Sequence, residues 1–206
     1  MIIPVIQIIE AAYTINFFYS GAILPIFFIK VIKMIIIVEG VDLAGKSYAI
    51  ERIGKKFNSG ITIKNNYKPK ANDGDGIYGQ YYAILNLAIS YNEKDRLVIL
   101  DRFYPSQAVY SILRGEDEFE YSEILRLENL CQEMNMKIIY LDTPLKILKQ
   151  RYLERGDEHI TIEQLKVLKG RYDAFMALSE VPVLYLNTLE KNWMQRVEKF
   201  INLGGD

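Results

Sequence analysis

Cysteine and histidine are nearly missing from this chain of 206 residues, where Cys131 and His159 are the only examples. A single thiol closes no internal disulfide, and one residue of each kind cannot build a structural zinc site. An excess of charge of one sign is lacking too. The 25 basic residues face 26 acidic ones for a net charge of −1. Without a global basic field, nucleic acid is not expected as a partner. Half the residues are apolar and a quarter charged, which excludes disordered and fibrous classes. What these absences leave is a reduced, soluble, cytoplasmic domain of enzyme size.

Charge is also scarce at the N-terminus, where residues 1–33 carry only Glu10, Lys30 and Lys33. The 19 residues from Ala11 to Ile29 have none, just enough for a helix across a bilayer core. Lys30 and Lys33 would then keep the remainder on the cytoplasmic side. No basic stretch precedes the apolar run, so it is a poor signal peptide. Glu10, Asn16 and Pro25 weaken the spanning signal. Three readings stay open: Met34 as the true start, a membrane anchor, or an apolar element packed on the domain or a partner. Membrane contact is expected only under the second. The domain that carries the chemistry is expected over residues 34–206.

Within that stretch strand and helix signals alternate. MIIIVE (34–39), LVILD (97–101), KIIYLD (137–142) and VPVLYL (181–186) are apolar runs suited to strands buried on both faces, and ITI (61–63) is a shorter candidate. Helical spacing follows in Ile50, Ile53 and Phe57, in Tyr82, Leu85 and Ile89, and in Leu127, Leu130 and Met134. It recurs in Leu165, Leu168, Tyr172 and Phe175, and in Val197 and Ile201. Residues 65–76 read as an irregular loop. Pro105 suits a first helical turn, and Thr143–Pro144 suits an N-cap followed by N1. Such alternation implies right-handed crossovers and a parallel sheet with helices on both faces.

The strongest motif is Gly40-Val41-Asp42-Leu43-Ala44-Gly45-Lys46-Ser47, a match to GxxxxGK[ST] between a buried strand and an amphipathic helix. The glycines let the backbone curl so that N–H groups point at phosphate oxygens. The helix N-terminus adds partial positive charge. All eight residues are expected to hold ATP, with Lys46 bridging its β- and γ-phosphates and Ser47 ligating Mg²⁺. The expected fold is accordingly α/β of the P-loop NTPase type, with a five-stranded parallel sheet and a short mobile lid.

Three segments resemble the thymidylate kinase family of nucleoside monophosphate kinases. The first is the loop EGVDLAGKS with its Asp42. The second is DRFYPSQAVY (101–110), similar to a DR[YF]xxSxxAY pattern. The third is Asp142-Thr143-Pro144 followed by Arg151-Tyr-Leu-Glu-Arg155, similar to LDxxPExxxxRxxxR leading into a lid. The resemblance implies phosphoryl transfer from MgATP to dTMP, small-molecule nucleotides as partners, and a homodimer. It puts Lys46, Arg102, Arg151 and Arg155 on the moving phosphoryl group, and Ser47 and Asp101 on Mg²⁺. It puts Asp42, Arg102, Ser106 and Tyr110 near the acceptor, with Tyr110 under the sugar. Leu43 stands where some members carry an Arg, so this chain looks like the branch whose lid, near 151–161, supplies the arginines.

Plainer roles stand beside these: loop capping for Asp42, a strand-end pair for Asp101 and Arg102, core packing for Tyr110. Arg151 and Arg155 share one helix face, either toward an anion or paired with Glu154 and Asp157. The helix before DRF has no Arg to read thymine, so Tyr78, Tyr81 or Tyr82 is a candidate to stack on the base and Gln107 a substitute reader. Lys68 and Pro69 are the counterparts of an acceptor loop. Two other functions remain. A deoxynucleoside kinase acting on a 5′-hydroxyl would need a carboxylate base, for which Glu39 is the evident candidate. The other is a non-catalytic nucleotide-binding module. Cys131 is expected as a buried small hydrophobe and His159 as a solvated side chain.

Overall fold

The computed structural model describes residues 34–57, 61–65, 74–92, 97–114, 121–156 and 160–202. They all belong to the unit spanning Val31–Asp206. The apolar extension 1–33, Lys68, Pro69, Asp157 and His159 lie outside the described residues.

Five strands form one sheet: β1 Ile35–Glu39, β2 Ile61–Lys64, β3 Val98–Asp101, β4 Lys137–Leu141 and β5 Val183–Leu186. Their order is β2-β3-β1-β4-β5 and every pairing is parallel. Every residue of β1 and β4 is buried. Successive side chains of a strand face opposite ways, so both faces of the sheet are covered. That is why these runs are apolar without alternation. The outer strands β2 and β5 are only partly buried.

The connections are helical: α1 Lys46–Lys56, α2 Gly74–Asn92, α3 Tyr104–Tyr110, α4 Tyr121–Glu133, α5 Leu145–Arg155, α6 Ile162–Leu178 and α7 Trp193–Asn202. β1 pairs with β3 on one side and β4 on the other. The chain thus winds both ways from β1, and a crevice opens outside the strand ends where the winding reverses.

Two expectations need correction. The helix α2 already begins at Gly74, inside the segment expected as loop to residue 76. Pro144 is the N-cap of α5, not its first residue. Thr143 does not cap at all, because its buried hydroxyl donates to the Ala44 carbonyl at 3.0 Å. The cap expected there is found instead on α6, where Thr161 and Gln164 close a reciprocal capping box. At the other end of the sheet, buried Lys137 donates to the Phe200 and Ile201 carbonyls at the end of α7. No helix among the described residues is long and apolar enough to cross a membrane.

Candidate active site

Gly40 leaves β1 at φ +147 and lies against β4, where a Cβ would come within 3.2 Å of Leu141 Cβ and 3.3 Å of its carbonyl oxygen. Leu43 (φ +64) and Gly45 (φ +95) complete the curl, with Gly45 as the N-cap of α1. The loop's carbonyls are engaged by side chains. Lys46 Nζ donates to Gly40 O at 2.8 Å and Val41 O at 2.9 Å, and Arg151 donates to Leu43 O at 2.7 Å. Thr143 holds the Ala44 carbonyl. Gly45, Lys46 and Ser47 line a cleft of about 720 Å³, into which the unpaired first-turn N–H groups of α1 can donate. Burial first, then the nearby Arg102, push the Lys46 ammonium down to about 7.

The same cleft is lined by Asp42, Asp101, Arg102, Arg151 and Arg155. Six of the residues singled out in the sequence therefore meet Gly45 and Ser47 at one place. Asp101 ends β3 with its carboxylate making no hydrogen bond or ion pair among the described residues, although its charge favours the Lys46 ammonium. Ser47 and Asp101 both line the cleft and offer hard oxygens to it. A Mg²⁺ ion that keeps most of its waters fits such a sparse donor pair. A closed cage does not: no group of three or more acidic, His or Cys side chains is arranged for a metal among the described residues.

Arg102 follows Asp101 in the left-handed region, φ +69, a costly conformation for this residue type that concentrates at functional positions. Its guanidinium pairs with Asp42, donates to the Tyr110, Ser106 and Tyr172 hydroxyls at 3.3 Å each, and lies 4.9 Å from the Tyr110 ring centre. Tyr110 donates in turn to Asp42 at 2.8 Å. Burial would lower Arg102, but Tyr172, Tyr110, Asp42 and Glu39 together hold it well above its ordinary value. Asp42 is thus more than a loop cap, and Tyr110 touches the site through its hydroxyl. The strand-end pair expected between Asp101 and Arg102 does not form; Arg102 turns to Asp42 instead.

Glu39, the last residue of β1, is fully buried. Its carboxylate accepts from Phe103 N (2.8 Å), Ser106 N (3.3 Å), Ser106 Oγ (2.7 Å) and Tyr172 OH (3.0 Å). Burial raises its pKa above the ordinary value, against Arg102 and these hydrogen bonds.

Arg151 and Arg155 lie one turn apart on α5 and both reach the cleft. Glu154 accepts from Gln150 at 2.8 Å and pairs with neither arginine. Burial, then the like charge of Arg155, lower the Arg151 pKa. An anion between them would relieve that repulsion.

Two expected acceptor residues are elsewhere. Tyr81 is 4 % exposed and packs edge-on against Phe103, ring centres 5.2 Å apart. Its apolar ring is core, not a platform at the cleft. Gln107 is likewise buried at 5 % exposure. Cys131 is buried as expected, and burial pushes its thiol up to about 12.

Sequence reasoning missed Tyr172, which read only as a core position of α6, and Thr188 and Leu189, which line the cleft after β5 together with Tyr48 and Asn65. The position of Thr188 just past a strand's carboxyl end was the one signal that pointed to it.

No protein-family model matches the sequence, and no curated protein matches it. Among solved structures the chain is similar to the YorR protein of Bacillus subtilis in complex with phosphorylated GDP. The TM-score is 0.66 at 20 % identity, covering 82 % of this chain and 95 % of that one. It is also similar to deoxyadenosine kinase of M. mycoides, solved with the products dCMP and a flexible dCDP. There the TM-score is 0.50 at 21 % identity, covering 82 % of this chain and all of that one (100 %). The likeness is one of fold: an α/β fold of the P-loop NTPase type.

Proposed function

We propose that the chain transfers the γ-phosphoryl group of MgATP to a deoxynucleoside monophosphate, with dTMP the expected acceptor, releasing ADP and a deoxynucleoside diphosphate. The observation that carries this reading is the convergence of Lys46, Arg102, Arg151 and Arg155 on one cleft at the phosphate loop. Transfer between two phosphates gathers negative charge, and four cations are suited to offset it. The likeness in fold to a nucleotide complex and to a deoxynucleoside kinase agrees with nucleotide substrates.

In this scheme Gly40–Ser47 wrap the ATP phosphates, while Ser47 and Asp101 hold Mg²⁺ directly or through water. When bound there, the ion would supply charge neutralisation for the ATP phosphates. Arg102 offers its planar fork to the acceptor phosphate, leaving Asp42 as it does so. Arg151 and Arg155 meet the transferred group from the α5 side. No general base is needed, because the acceptor phosphate is already ionised. Tyr110, braced by Asp42, stands beside the acceptor sugar.

Phosphorylation of a 5′-hydroxyl would need a carboxylate free to take a proton. Glu39 is poorly suited, since four donors already occupy its oxygens and it does not line the cleft. The test is ADP release by the purified full chain with ATP and Mg²⁺ against each deoxynucleoside and each monophosphate. Turnover with dTMP in preference to all others supports the reading. Turnover with nucleosides alone overturns it in favour of the hydroxyl acceptor. ATP binding without any acceptor-dependent turnover assigns a non-catalytic module.

A further inference from the structure

Arg102 and Glu39 do not touch. Between them stand two hydroxyls, of Ser106 and Tyr172, 2.8 Å apart. Each reaches Glu39 Oε2 on one side and the same terminal nitrogen of Arg102 on the other. Ser106 lies four residues from Arg102 and is carried by the same segment. Tyr172 comes from α6, 70 residues away from Arg102 and 133 from Glu39. Its ring is wholly buried. It stacks on Tyr140 of β4 with centres 5.7 Å apart and planes 22° apart, and meets Tyr110 edge-on at 6.1 Å. Tyr140 is itself held by Asp173 at 2.7 Å, and Lys169 ties Asp173 to Asp142 at the end of β4. The Tyr172 hydroxyl is therefore fixed by the sheet, not by the cleft.

We infer that Tyr172 is a positioning residue for Arg102: its hydroxyl, anchored on Glu39, fixes the plane of the guanidinium that receives the acceptor phosphate. This rests on the monophosphate reading of the cleft. A guanidinium carries five N–H donors in a rigid fork and no acceptor. Asp42 and Tyr110 hold one terminal nitrogen, and Ser106 and Tyr172 hold the other. When a phosphate displaces Asp42, Tyr110 alone stays on the first nitrogen, and the second pair still fixes the other end of the fork. Bidentate capture depends on that plane. Tyr172 does not line the cleft, so it acts through Arg102 and not on substrate.

The substitution Tyr172→Phe keeps the buried ring and removes the hydroxyl alone. In the full-length protein it is expected to raise the acceptor KM about ten- to a hundredfold, the effect of one hydrogen bond to a charged group. ATP KM stays within about twofold, as Arg102 and not the phosphate loop is loosened. In an Arg102→Ala background the same change should alter the acceptor KM less than about twofold, because residues acting through one partner are non-additive. An equal effect in both backgrounds overturns the inference, and so does a KM rise shared equally by ATP.

A second readout does not use activity. With ¹⁵N-labelled arginine, the side-chain signal that Arg102→Ala deletes identifies Arg102. It should be sharp and slowly exchanging in the parent, and broadened or rapidly exchanging in Tyr172→Phe. An unchanged signal refutes the positioning role. A parent protein without monophosphate-dependent turnover would refute the proposed function, and the Arg102 signal then decides the positioning role by itself.

Discussion

Replacing Gly40 by alanine asks for two things the loop cannot supply. The backbone sits at φ +147, a conformation open to glycine and costing other residues about 1–3 kcal/mol. The added methyl would also come within 3.2 Å of Leu141 Cβ, 3.3 Å of Leu141 O and 3.4 Å of Ala44 Cβ. Two of these atoms belong to β4, which is paired on both sides, so relief requires the loop to lift off the sheet. Overpacking of this kind costs about 1–3 kcal/mol. At about 2 kcal/mol for each effect the loss is about 4 kcal/mol, roughly 8–16 °C in Tm for a chain of this size. Urea unfolding followed by the fluorescence of Trp193, the single tryptophan and a buried one, measures it. The control is Gly170→Ala in the interior of α6, where a Cβ meets nothing within 4 Å. That change should stabilise by about 0.5–1 kcal/mol. ATP affinity should fall in the first variant, because Gly40 O anchors Lys46, and not in the second. A Gly40→Ala protein within about 0.5 kcal/mol of the parent would sink the reasoning, since ordinary surface changes stay inside that band.

Nucleotide binding should take up a proton above neutral pH. Lys46 stands near 7 in the free protein, phosphate favours its charged form, and so affinity should fall as pH rises from 7 toward 9, by at most about tenfold per unit. Calorimetry in buffers of different ionisation enthalpy reads the uptake directly, and equal heats in all of them at pH 8 would contradict it. Arg151→Ala removes both a cleft cation and the donor to Leu43 O. It should lower kcat about 10²–10³-fold, as loss of a transition-state donor does, with a folded protein by circular dichroism. Lys137→Met leaves the Phe200 and Ile201 carbonyls without their donor. A loss of about 1–2 kcal/mol in urea unfolding is expected, with activity at 25 °C retained. Removing Mg²⁺ with EDTA should abolish turnover, and unchanged rates would take Ser47 and Asp101 out of metal binding.

Local information was enough for the frame. The runs at 35–38 and 138–141 are apolar on both faces, which only a strand covered on both sides requires. The phosphate loop was legible for the same reason: Gly40 and Gly45 serve backbone conformations that their own neighbours demand, and Lys46 and Ser47 act within eight residues of chain. The pairing of Arg151 with Arg155 could also be read, since helical spacing puts residues four apart on one face.

Where side chains meet across the fold, the sequence alone was silent or wrong. Tyr81, Tyr110 and Tyr172 all look alike as aromatics at helical spacing. Tertiary packing buries the first against Phe103, lends the second to Asp42, and sets the third between Glu39 and Arg102. Thr143 looked like a cap until the phosphate loop, 99 residues away, took its hydroxyl. The distinction is physical. Periodicity and turn chemistry are properties of a few consecutive residues, and they determined the strands, the helices and the phosphate-binding loop. Which carboxylate receives which donor depends on the sheet order β2-β3-β1-β4-β5, and only the folded chain brings Glu39, Arg102 and Tyr172 within reach of one another.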